Sequence, residues 1–296
     1  MATQTIEPAS SGSRVVSRSS NADQMRRRFS NGAAFAILLV LSILWLMPLL
    51  WTLDTALKPE SETTLLPLTW LSSHFTLQAF VSVLATTALP RWYFNSVFTS
   101  VIISVVTVLL ASMAAFAFSR LRFRGSNVVF WIILAGLMVP GQVLIVPLFS
   151  MMQSFGLVDT YWGIILPQVA SPFAVFVFKQ YFDGIPHEYE EAALMDGASR
   201  WGIYWRIWMP LARPIIATIA IFAFVGSWNN FLWPFLVITG NNMMTVPVGL
   251  ATVQTSFGIR YAQIMASALL GGLPAVLVFI FFQRQIVEGL AGGLKE

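Results

Sequence analysis

The residues best able to do chemistry crowd into one short stretch, "EYEEAALMDGASRWGIYWRIWMP" at 188–210, where four carboxylates and two arginines interrupt apolar runs. Its local chemistry spells two short helices joined by a turn. Pro186 suits a first helical position, and Glu188, Glu190 and Glu191 sit where the helix dipole favours negative charge. Ala192, Ala193, Leu194 and Met195 continue as good helix formers. Gly197 can take the left-handed conformation that ends a helix cheaply. Ser199 is placed to cap a second helix, running through Trp201, Tyr204 and Ile207 to Pro210. Ala192 and Ala193 leave a narrow surface that a partner's groove can approach closely. Glu191 and Asp196 offer carboxylates to that partner's Arg or Lys side chains. The chemistry on offer is charge-paired docking. The competing use, an amphipathic helix lying on lipid headgroups, wants a basic polar face, and this first helix is acidic.

Other chemistries find little to work with. Cysteine is absent, which removes disulfides, thiol catalysis and Cys-based metal sites. The two histidines, His74 and His187, lie far apart in sequence, so no His-rich metal site is expected. The sequence has no phosphate-binding G-x-x-x-x-G-K-[ST], no nucleophile elbow and no HExxH zinc signature. We therefore expect no catalytic residue, no metal ligand and no cofactor bound by this chain.

The elements that must position the polar stretch belong to a membrane protein. The chain is 57% hydrophobic and 10% charged, and its mean hydropathy is +0.74; a soluble domain carries about 25% charged residues. A bilayer core about 30 Å thick needs roughly 20 apolar residues of helix. Stretches nearly free of charge predict six transmembrane helices, near 33–53, 94–118, 127–149, 162–182, 214–238 and 263–283. The apolar segment 76–89 is too short to cross and is expected outside, without spanning. Of the 17 basic residues, only Lys58, Arg91 and Arg260 then fall outside. That bias puts both termini in the cytoplasm and accounts for a pI near 9.7 without nucleic acid. Residues 1–32, rich in Ser and Arg, are expected to form a disordered basic cytoplasmic tail. "RRRFS" at 26–30 precedes an apolar run too long for a signal peptide, so the first helix is expected to stay uncleaved. The transmembrane domain then covers 33–284, with a cytoplasmic tail over 285–296. The loop at 186–210 lies between helices four and five, on the inside.

At the loop the sequence resembles a known family. Glu191-Ala192-Ala193, three residues, Gly197, nine residues, Ile207, one residue and Met209-Pro210 is similar to the "EAA" loop of bacterial ABC importer permeases, with Met for Leu at 209. "PLLWTLDTALKP" (48–59), "RLRFRG" (120–125), "MVPGQVLIVPLF" (138–149), "GLVDTYWGIILP" (156–167), "GSWNNFLWP" (226–234) and "QRQIVEGLAGGLKE" (283–296) each resemble segments of the maltose-type, carbohydrate-uptake branch. The match is to the shorter, six-helix partner. The resemblance implies an all-α integral membrane permease of the bacterial inner membrane, moving a sugar or sugar-like solute by alternating access. It implies a heterodimer with a second homologous permease subunit, two ATPase subunits carrying ATP and Mg, and an extracytoplasmic solute-binding protein, with lipid around the whole. It assigns Glu191, Ala192, Ala193, Asp196 and Gly197 to ATPase coupling, with Ile207 and Pro210 as scaffold. The tail residues Gly292, Gly293 and Lys295 are a further expected contact with the ATPase.

Polar groups inside spans are expensive in hydrocarbon and so suggest a solute path. Gln142, Asn229 and Asn230 are the candidates, with Trp228 and Trp233 as stacking rings for a sugar. Hydrogen-bonded glue between helices is the competing use, and the commoner one for such amides. Loops 54–93 and 239–263 are expected to meet the solute-binding protein. An ion-coupled secondary transporter or channel is the alternative, but it usually carries buried Asp, Glu or Arg, and these spans carry none.

Overall fold

The computed structural model describes residues 21–65, 70–72, 74–121, 123–256 and 260–291, and no strand occurs among the described residues. In hydrocarbon a segment must satisfy its own N–H and C=O groups, which a helix does and an open strand does not. Three helices are long and apolar enough to cross a membrane alone: Gly32–Ala56, Leu89–Arg120 and Tyr261–Gln283. They lie in α1 (Asn21–Ala56), α3 (Leu89–Arg120) and α14 (Tyr261–Ala291). Among the described residues three further candidates occur as bent pairs, each a broken span or a re-entrant loop. These are Ser126–Met138 with Gly141–Ser154 at 94°, Tyr161–Gln168 with Pro172–Asp183 at 47°, and Arg200–Leu211 with Arg213–Trp228 at 79°.

The spans expected over 127–149, 162–182 and 214–238 are interrupted, the first two at prolines that the sequence marks as kinks or helix ends. The first breaks after α4 (Ser126–Ala135), where Val139 is extended (φ −85°, ψ 116°) because Pro140 disfavours the helical region for the residue before it; α5 (Ile145–Ser154) follows the bend. The second separates α6 (Tyr161–Ile165) from α7 (Pro172–Asp183) by the same device, with Ser171 extended before Pro172. The Ser171 hydroxyl accepts the Ala174 N–H at 3.2 Å and caps the new helix. The third, α11 (Arg213–Trp228), stops at Asn229, and residues to 238 form the separate short α12 (Leu232–Val237). Residues 76–89 hold α2 (Gln78–Thr86), nine residues and far too short to cross.

At the amino end, residues 21–32 of the expected disordered tail are helical in backbone, and residues 1–20 lie outside the described residues. At the other end α14 continues past 284 to Ala291, so the tail contacts expected at Gly292, Gly293 and Lys295 also lie outside them. The chain divides into two compact units, 1–51 and 52–296. In the first, every large apolar side chain from Phe35 to Leu50 is exposed, as suits a helix whose solvent is lipid or another membrane subunit.

The second unit is organised around α3. One face of this helix is a stripe of small buried residues, Ser96, Ser100, Ser104, Thr107, Ala111 and Ala115, at three- and four-residue spacing. Small side chains let helices approach closely where no hydrophobic force drives them together. The hydroxyls of Thr99, Ser104 and Ser112 bond back to the carbonyls of Asn95, Ser100 and Val108, at 2.6–2.8 Å. Against the Arg120 end of α3 sits the main apolar cluster, built from Phe116, Phe178, Phe182, Ile203, Tyr204, Trp208 and their neighbours.

Candidate functional site

The polar stretch folds as two short helices set at an elbow. Its first helix, α8 (Glu188–Met195), has Glu188, Glu190 and Glu191 in its first turn, as expected. Pro186 does not hold the first helical position, because the helix starts two residues later. The far end follows the expected logic closely. Gly197 has φ +78°. The Gly197 N–H donates to the Leu194 carbonyl at 3.0 Å, and the Ala198 N–H to the Ala193 carbonyl at 2.9 Å. These two bonds make a Schellman cap, which a left-handed residue at this position permits. Ser199 then caps α9 (Arg200–Ile203), its hydroxyl accepting from the Gly202 N–H at 3.2 Å. A π-helical turn, Tyr204–Trp208, and α10 (Met209–Leu211) lead into α11.

Burial sorts the predicted coupling residues into two groups. Glu191, Ala192, Asp196 and Gly197 are exposed, and Met195 between them is 88% exposed. Together they form a tip that is acidic and apolar at once. Ala193 and Ile207 are half-buried against the main cluster and belong to the base, whereas Pro210 is exposed on α10. Two contributors were not singled out by the sequence. Glu190 is only 6% exposed and forms an ion pair with Arg200, closing α8 onto α9 across the turn. Arg120, at the end of α3, reaches under the elbow. Spacing along the chain gives no sign of either contact.

The five predicted path residues do not gather around one space. The Trp228 ring N–H donates to the Gly271 carbonyl at 3.1 Å, and that of Trp233 to the Gly163 carbonyl at 3.0 Å. Both tryptophans are buried staples between helices. The Asn230 amide donates to Gln168 Oε1 at 2.8 Å and accepts from the Trp233 backbone N–H at 3.3 Å. Asn229 is exposed and donates back to the Val225 carbonyl at 3.0 Å. Gln142 is exposed at the bend between α4 and α5. Trp228, Asn230 and Trp233 thus each hydrogen-bond to another element. A cleft of about 390 Å³ does open where two of the spans are broken, lined by Thr107, Leu137, Gln168, Ser171 and Ser227. None of the five predicted residues lines it. Gln168 does, and it was missed because a single amide beside Pro167 reads as a helix end.

On the opposite side, 239–246 is held against the start of α3. The Asn95 amide donates to the carbonyls of Asn242 and Met244 at 2.8 and 2.9 Å, and Asn95 Oδ1 accepts from the Tyr161 hydroxyl at 2.8 Å. Asp159, with φ 61°, accepts the N–H groups of Thr239 and Gly240 at 3.1 and 3.0 Å. Asn95→Leu removes the donor to both carbonyls and the acceptor for Tyr161, at about 1–3 kcal/mol. Amide exchange over 241–246 is expected to speed up about tenfold or more, measured by hydrogen–deuterium exchange in detergent.

Comparisons with known proteins place the chain and its fold. The family described as binding-protein-dependent transport system inner membrane component matches residues 107–288. An arabinooligosaccharides transport system permease of Halalkalibacterium halodurans is 39% identical over 252 residues, covering 84% of this chain and 90% of that protein. A diacetylchitobiose uptake system permease of Streptomyces coelicolor is 33% identical over 271 residues, covering 90% and 89%. In fold, the chain is similar to one in the crystal structure of a bacterial ABC transporter involved in importing the acidic polysaccharide alginate. The TM-score there is 0.79 at 23% identity, covering 90% of this chain and 98% of that one.

Proposed function

Because the chain belongs to the family of binding-protein-dependent transport system inner membrane components, and is a non-catalytic ABC permease subunit of the carbohydrate-transport kind, we propose how it works. It pairs with a second permease subunit to form a pore that takes a sugar or sugar-like solute from an extracytoplasmic binding protein. The elbow seats its tip in a cleft of a cytoplasmic ATPase subunit, and closure of two such subunits on ATP switches the pore between inward- and outward-facing states. Both termini lie in the cytoplasm.

One observation carries the reading: the exposed tip of Glu191, Ala192, Met195 and Asp196 stands on a rigid, buried base. An exposed methionine amid carboxylates is poorly placed against lipid headgroups but well placed in a groove rimmed by cations. The broken spans fit a pore that rocks, since non-helical backbone at membrane depth is tolerated where it lines a cavity. The relatives named for arabinooligosaccharides and diacetylchitobiose support a carbohydrate cargo.

Vesicles carrying the assembled complex test this against ion-coupled transport. Uptake driven by internal ATP is expected to survive ionophores that collapse ion gradients. Uptake that follows the gradient and ignores ATP would overturn the proposal.

A further inference from the structure

Arg120 is the last residue of α3, only 7% exposed, and its surroundings are unusual for an arginine. Among the described residues no carboxylate forms an ion pair with it: Glu190 pairs with Arg200 and Asp183 with Lys179 at 2.6 Å, although both lie near enough to favour its charge. Backbone and rings hold it instead. Nη2 donates to the carbonyl of Phe182 and, at 2.6 Å, to that of Ile185; Nη1 donates to His187 Nδ1 at 2.6 Å. The guanidinium carbon sits 4.2 Å from the centre of the Trp208 ring. The planar fork meets carbonyls at the negative end of α7 while its face stacks on an indole, a combination lysine cannot reproduce.

These contacts have a mechanical meaning. Phe182, Ile185 and His187 form the chain's path into the elbow, and Trp208 lies on its path out. Both feet of the elbow are thus tied to one atom group at the end of α3. One further bond runs the same way, Ser112 Oγ to the Tyr204 hydroxyl at 2.8 Å, and the Tyr181 hydroxyl joins the two feet to each other through the Leu211 carbonyl at 3.0 Å. Without the guanidinium, the glycine at 184 and the π-helical turn offer places for the elbow to swing by itself.

We propose that Arg120 is the positioning residue that makes the elbow and α3 one lever, so that a push on the tip moves the membrane helix rather than bending the loop. This inference rests on the coupling role proposed for the elbow. The chain has no cysteine, so spin labels at Met195→Cys on the tip and Met113→Cys on α3 report their separation within the reconstituted complex, provided its other subunits carry no reactive cysteine. With Arg120 in place, the separation is expected to stay narrow and constant when ATP binds. With Arg120→Met it is expected to broaden and shift, and uptake per ATP hydrolysed to fall about tenfold or more. Arg120→Lys keeps the charge but not the fork, and is expected to recover only part of the loss. If Arg120→Met does not assemble, His187→Ala, which removes one contact, is expected to broaden the separation on a smaller scale.

A narrow separation with undiminished uptake in Arg120→Met, or full recovery by Arg120→Lys, would overturn the lever. Crosslinking of Met195→Cys to the ATPase in parallel preparations left without spin label keeps the two ideas apart. A crosslink that persists while Arg120→Met changes nothing sinks the lever alone; no crosslink even with Arg120 intact sinks the coupling role beneath it.

Discussion

Replacing Gly197 with valine is expected to cut solute-stimulated ATP turnover by about one to two orders of magnitude, the range of typical coupling energies between sites. Gly197 holds φ +78°, and nothing lies within 4 Å of where a side chain would begin. The penalty is therefore conformational, not steric. An L-residue pays roughly 1–2 kcal/mol in the left-handed region, and a β-branched one fares worse. Valine relieves that cost by leaving the region, which breaks the bonds to Leu194 and Ala193 and turns Met195 and Asp196 away from their present face. The membrane helices are untouched, so normal abundance and co-purification with the other subunits are expected. Asn tolerates the left-handed region and can replace Gly in such caps, so Gly197→Asn is expected to retain most stimulation. Proteoliposomes supplied with solute-loaded binding protein give the measurement, and full stimulation in the valine variant would refute the role of the turn.

The second large effect is on stability. Trp208 is 0% exposed, with its ring 5.3 Å from Phe182, 6.1 Å from Phe116 and beneath the Arg120 guanidinium. Trp208→Ala removes the largest side chain of the main cluster, and losses of this kind cost about 3–5 kcal/mol. It also strips the cation of its stacking partner. Thermal unfolding in detergent is expected to shift sharply downward, with a lower yield from membranes. Trp205, three positions earlier and 49% exposed, is the control. Trp205→Ala is expected to change stability by no more than about 0.5 kcal/mol, as for surface positions. Equal losses in both variants would mean the cluster does not support the elbow.

Which features could be read in advance depended on the range of the interaction behind them. Gly197 and Ser199 were legible because a helix stop and a helix cap are decided within four residues. The spans were legible as charge-free runs, and prolines 140, 147, 167, 172 and 234 could be read as kinks or helix ends, but the size of each bend could not. A hydropathy window averages across Pro140 and Pro172, and nothing local fixes a bend of 94° or 47°. The fifth span was overextended to 238 for a related reason: Asn229 and Asn230 count as uncharged, yet they end the helix. Glu190, Glu191 and Glu188 look alike in sequence. Only the fold shows that Glu190 meets Arg200 while Glu191 faces outward. Trp228 and Trp233 suggested a sugar platform, but their ring N–H groups meet carbonyls 43 and 70 residues away. Arg120 counted only as one more inside charge, since its partners at 182–208 become neighbours only after α3, α7 and the elbow pack together.

What the tip touches decides the coupling role most directly. A photo-activatable residue at position 195, in the intact complex in membranes, is predicted to form an adduct with the ATPase subunit, at a yield that changes when ATP binds. Adducts confined to lipid or to the extracytoplasmic binding protein, or labelling of that position by an impermeant reagent added outside, would contradict it.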